Sequence, residues 1–137
     1  MAFQNPPDAV IKTVLSTPRT VAVVGCSPDP ERDSHRIAKL LQERGHRVIP
    51  VNPGQREILG EPCYAGLRDI PSAVDMVDIF RRPEHVAPIV DEAIDTGAKI
   101  VWMQLGVIDE QAAVKAQKAG LIVIMDRCPA IEYRRLF

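Results

Sequence analysis

The residues best suited to chemistry in this chain lie at the ends of apolar runs. Gly25-Cys26-Ser27-Pro28 follows the run "TVAVV" at residues 20–24. A glycine at such a point lets backbone N–H groups approach an anion, and the dipole of a following helix favours the same charge. Ser27 adds a hydroxyl, and Ser34 or Asp33 is placed to cap that helix. The turn is not the dinucleotide fingerprint, whose second and third glycines would fall on Ser27 and Pro30. Cys26 is the candidate for reactivity, since a helix N-terminus stabilises a thiolate. The competing reading of Cys26 is a small, half-buried side chain in a tight turn.

Four further groups end the later runs: Asn52-Pro53, Phe80-Arg81-Arg82, Gln104 with Leu105-Gly106, and Arg127-Cys128. An NAD site places an acid where Asn52 stands, to bind the ribose diol; here the next acid is Glu57. A neutral residue there does not repel a phosphorylated ribose, and Arg81 and Arg82 bring positive charge to the neighbouring loop. Together these features suggest an adenine nucleotide carrying an additional ribose phosphate. Catalytic patterns are missing. There is no Gly-x-Ser-x-Gly turn and no Walker loop. His35, His46 and His85 are scattered and read as surface residues. Asp91-Glu92 and Asp109-Glu110 read as solvent-facing or capping, and Trp102 and Met103 as core. The cysteines Cys26, Cys63 and Cys128 show no metal spacing. A Cys26–Cys128 disulfide is not expected, with a strand between them.

The elements that must position these groups alternate. Strands are expected at 20–25, 47–53, 74–80, 99–106 and 121–128, and helices at 7–16, 36–45, 89–97 and 109–120. Gly45 and Gly120 read as helix stops, Asp109 as an N-cap and Pro88 as a first-turn residue. Pro50 marks its strand as irregular or edge-like. Residues 54–73 read mostly as loop, with one helical turn near residues 64–68. Alternation implies right-handed crossovers and parallel pairing. The expected fold is an α/β, Rossmann-like, doubly wound sheet of five parallel strands, in the order 3-2-1-4-5, with helices on both faces. Ligands of such sheets bind beyond the carboxyl ends of the strands, where strand order reverses. That is the crevice beside the end of the first strand.

The totals agree with a small binding domain. The 137 residues suit one domain, spanning 1–137, large enough to fold without metal or disulfide. A net charge of −1 gives no general attraction to nucleic acid or anionic membrane, so an anion must be held locally. No signal peptide and no apolar run of ~20 residues is found. An odd number of unpatterned cysteines fits reduced thiols and a cytoplasmic location.

The segments "VAVVGCSPDPERDSHRIAKLLQERGHRVIPVNP", "VDMVDIFRRPEHV" and "KIVWMQLGVIDEQAAVKAQKAGLIVIMDRC" resemble the small, stand-alone CoA-binding proteins of bacteria and archaea. Their domain is similar to the CoA-binding domain of the succinyl-CoA synthetase α subunit. The resemblance spans about residues 7–135, and the series G-x-S, V-N-P, F-R-R, W-x-Q-x-G and D-R-C carries it. It implies coenzyme A as the ligand. Gly25, Cys26 and Ser27 would meet the pyrophosphate, Asn52-Pro53 and Phe80-Arg81 the adenosine part, and Gln104 would line the cleft. Neither an ATP-binding domain nor a phosphoryl-carrying histidine domain is expected within these 137 residues. The expectation is therefore a non-enzymatic CoA or acyl-CoA carrier, sensor or accessory protein. Two alternatives stay open. One is an NADP-type oxidoreductase or a CoA-dependent enzyme subunit; the other is a regulatory interaction module that has lost its ligand.

Overall fold

The computed structural model describes residues 2–137. In chain order its elements are α1 (Asp8–Ser16), β1 (Thr20–Val24), α2 (Asp33–Glu43), β2 (Arg47–Val51), β3 (Glu57–Ile58), β4 (Glu61–Pro62), β5 (Met76–Ile79), α3 (Val86–Asp95), β6 (Ile100–Met103), α4 (Glu110–Lys118), β7 (Ile122–Ile124) and α5 (Pro129–Leu136). Single turns of 3-10 helix lie at Leu67–Asp69 and Pro83–His85. Five strands pair in parallel in the order β2-β1-β5-β6-β7. This is the expected α/β, Rossmann-like class.

Alternation along each strand divides the core in two. Val21, Val23, Met76, Ile100, Trp102 and Ile124 pack with α1, α2 and α5 through Ile11, Leu15, Leu41 and Tyr133. Ala22, Val24, Val77, Ile79, Val101 and Met103 pack with α3 and α4 through Val86, Val90, Ala93, Ala113 and Ala116. Both faces of the sheet are therefore dry, which explains why its strands read as unbroken apolar runs.

The strand order corrects the sequence expectation. The third major strand, β5, does not lie outside β2 but pairs with the other side of β1, Val21 opposite Met76 and Val24 opposite Ile79. β2 is left at the edge. Pro50 supplies the physical reason, because a residue without an N–H cannot donate to a strand on its outer side. That side is covered instead by Tyr64, whose N–H donates to the Pro50 carbonyl at 3.1 Å and whose own carbonyl accepts from the Asn52 N–H at 2.9 Å. In five-strand numbering the order is 2-1-3-4-5, and the reversal falls between β1 and β5.

Three local features also differ. The loop 54–73 contains the β3–β4 hairpin, turned through Leu59 and Gly60, both at positive φ. Leu-Gly lacks the Asn-Gly or Asp-Gly signature of such a turn. α5 was not expected; it follows Cys128 directly, with Pro129 in its first turn. His35 and His46 are buried rather than on the surface. Asp109 does cap α4, accepting the Ala112 N–H at 3.0 Å. No described helix is long and apolar enough to cross a membrane.

Candidate ligand cleft

A cleft of about 1030 Å³ opens over the carboxyl ends of β1, β5 and β6. Its walls are the first half of α2 and the start of α5. Of the residues singled out from sequence, Gly25, Ser27, Ser34, Phe80, Arg81, Arg82 and Gln104 line it. Asn52 and Pro53 line an adjoining recess of about 310 Å³, which shares Gly25 and Arg81 with the main cleft. Arg81 thus stands where the two spaces meet. Pro28 is exposed and lines neither.

The turn after β1 is held from several sides. Gly25 has φ +84°, and a Cβ there would stand 2.3 Å from the Phe80 carbonyl oxygen. The glycine is required by the close approach of the β5 loop, a consequence of β5 lying beside β1. The Ser27 N–H donates to the Ser34 hydroxyl at 2.9 Å, and the Ser27 carbonyl meets His35 Nδ1 at 2.9 Å. Ser34 and Asp33 therefore do not cap α2. The N-cap is Arg32, in extended conformation and without a side-chain cap, so the first amides of the helix remain open. Asn52 uses both ends of its amide, Nδ2 donating to the Cys26 carbonyl at 2.9 Å and Oδ1 accepting from the Gly54 N–H at 3.0 Å. It ties the first turn to the second.

Cys26 fits the structural of its two readings rather than the reactive one, and is more deeply buried than that reading had it. Its side chain has no exposure and packs in the core against the α1, α2 and α5 face. Burial, aided by the nearby Cys63 and Asp78, pushes its thiol up to about 12. A thiol so placed does not act as a nucleophile at neutral pH. The alignment of Cys26 with the helix N-terminus was readable; the side from which the side chain leaves the turn was not.

The charge of the cleft is local and positive. Arg32, Arg36, Arg81, Arg82 and Arg134 line it, against the acids Glu31 and Asp33. Arg36 pairs with Asp33, while Arg81 and Arg82 enter no ion pair among the described residues. A chain of net charge −1 thus concentrates cations beside an open helix N-terminus. Sequence reasoning missed Arg32 and Arg134 because they sit on helix ends, not strand ends. It also missed Asp78, a wholly buried acid in β5 that accepts a hydrogen bond from Gln104 Nε2. An acid inside a strand buried on both faces was the signal that could have found it.

A family model described as CoA binding domain matches residues 19–134. The chain is 39% identical over 126 residues to YneT of Bacillus subtilis (strain 168), covering 92% of this chain and 93% of that protein. It is 30% identical over 125 residues to the acetate–CoA ligase [ADP-forming] II subunit alpha of Pyrococcus furiosus, where it corresponds to 83% of this chain and 27% of the subunit. A solved structure of a protein from Pyrococcus horikoshii OT3 superposes with a TM-score of 0.91 at 40% identity, covering 99% of each chain. The cleft therefore lies within the matched segment, and the chain belongs to the CoA binding domain family.

Proposed function

We propose that the cleft binds coenzyme A or an acyl-CoA, and that the protein works as a non-enzymatic carrier, sensor or accessory protein. The observation that carries this reading is the unpaired Arg81–Arg82 loop beside the open N-terminus of α2, with no acid at the end of β2. Pyrophosphate oxygens suit the α2 amides and the turn at Gly25–Ser27. A ribose phosphate suits Arg81, which reaches both the main cleft and the recess lined by Asn52 and Pro53. Three free thiols fit a reducing, cytoplasmic setting.

A second reading has its own support: the related ligase subunit carries a matching segment as 27% of its length. On that reading the chain is the CoA-holding part of an enzyme whose catalytic groups lie on another polypeptide. Calorimetric titration with CoA, acetyl-CoA, NAD and NADP tests the CoA ligand that both readings share. CoA and acetyl-CoA should bind and NAD should not. Tighter binding of NADP would favour an oxidoreductase, and silence with every nucleotide would favour a ligand-free interaction module.

A further inference from the structure

Asp78 occupies the central strand of the sheet, with β1 on one side and β6 on the other. Its side chain is wholly buried. Oδ1 accepts from Gln104 Nε2, and Oδ2 has no partner among the described residues. Burying a carboxylate with an unsatisfied oxygen costs folding free energy. The strand around it is apolar, so packing alone would be served by valine. What the acid does supply is direction. Above about pH 7, where the buried Asp78 carboxyl ionises, the carboxylate only accepts hydrogen bonds, so the Gln104 amide must turn its NH2 group inward. Gln104 lines the cleft, and its Oε1 takes no hydrogen bond from the described residues.

We infer that Asp78 is a positioning residue that fixes Gln104 as a hydrogen-bond acceptor in the cleft floor, and that the ligand segment lying there carries an N–H or S–H donor. The inference rests on the CoA reading and refines it. Phosphate oxygens belong at the arginines and would be repelled by a carbonyl oxygen. The pantetheine arm, with its amide N–H groups and terminal thiol, has the donors that Gln104 Oε1 can accept. The ligand is thereby oriented, with its nucleotide phosphates toward α2 and Arg81 and its arm over Gln104.

The test, run at a pH above the Asp78 transition at about 7, is calorimetry with CoA and with 3′-phospho-ADP, the same nucleotide without the arm, alongside thermal melting. Asp78→Val should weaken CoA about tenfold, the loss of roughly one hydrogen bond. It should leave 3′-phospho-ADP within about twofold and the melting temperature unchanged or raised. Asp78→Asn, whose carbonyl can still accept from Gln104, should recover most of the CoA affinity. In a Gln104→Met background, Asp78→Val should have no further effect on CoA. Should Asp78→Val fail to fold, Asp78→Thr takes its place, because its hydroxyl offers Gln104 a donor as readily as an acceptor. A lowered melting temperature with CoA affinity unchanged would overturn the inference, as would equal weakening of both ligands. Wild-type protein that binds no CoA would refute the CoA reading and this inference with it. Wild type that binds CoA, with variants that bind it equally well, would refute the positioning role alone.

Discussion

Gly25 shows how one residue serves the fold and the cleft together. Its positive φ and the 2.3 Å approach of a virtual Cβ to the Phe80 carbonyl leave no room for a side chain. Gly25→Val should therefore lower stability as well as ligand affinity. The backbone conformation alone should cost about 1–3 kcal/mol, read by chemical denaturation. An unchanged denaturation midpoint would mean the turn relaxes freely. Asp78 gives a second signature. Burial raises its carboxyl to about 7, well above the ordinary carboxylate range. Between about pH 4 and pH 7 the unfolded chain releases this proton while the folded chain keeps it, so stability falls as pH rises through that window. Below the window both states are protonated and the penalty vanishes; above it the penalty is constant, on the order of 4 kcal/mol. Asp78→Asn cannot ionise. Its stability relative to wild type should grow across the window and then level off, and a flat difference would contradict the burial account. Gly25 reads from sequence only as a ligand-approach glycine, and Asp78 is passed over, although an acid inside a strand buried on both faces is a visible signal.

At the scale of elements, periodicity exposed every long strand and four of the five helices, because each buries a face whose spacing is visible in the residues. Strand order was not exposed, since β5 is equally apolar on either side of the sheet. Pro50 was the available clue: an edge-like residue does not suit the second position of a 3-2-1-4-5 sheet. The β3–β4 hairpin lacked turn chemistry, and α5 is only 8 residues long. Yet α5 forms a wall of the cleft through Ala130, Ile131 and Arg134. It is fixed by a buried network in which the Tyr133 hydroxyl reaches the Leu15 carbonyl and His46 Nε2, each at 3.0 Å. His46 Nδ1 accepts the Arg19 N–H at 3.1 Å, and burial holds the ring below its ordinary pKa. Tyr133→Phe removes the hydroxyl from this network. It should cost about 1–3 kcal/mol by chemical denaturation, and a neutral result would show that this hydroxyl does not hold α5.

Across the whole molecule, the sheet brings together groups that lie far apart in the chain: the turn at Gly25, the recess at Asn52, the Arg81–Arg82 loop and Gln104. The corrected strand order strengthens this assembly, since β5 beside β1 sets Arg81 directly against Gly25. The general location of the cleft was legible because either order reverses beside β1. The central claim is that this cleft reads a CoA-type nucleotide through its extra ribose phosphate. A charge-assisted arginine–phosphate contact contributes about 1.5–3 kcal/mol. The most direct measurement is calorimetric titration of the wild type and the Arg81→Ala/Arg82→Ala variant with CoA and dephospho-CoA, at low and raised salt. Wild type should prefer CoA by at least about tenfold, and both the double substitution and added salt should shrink that preference. Equal affinity of the wild type for the two ligands, or no binding of CoA at all, would contradict the account.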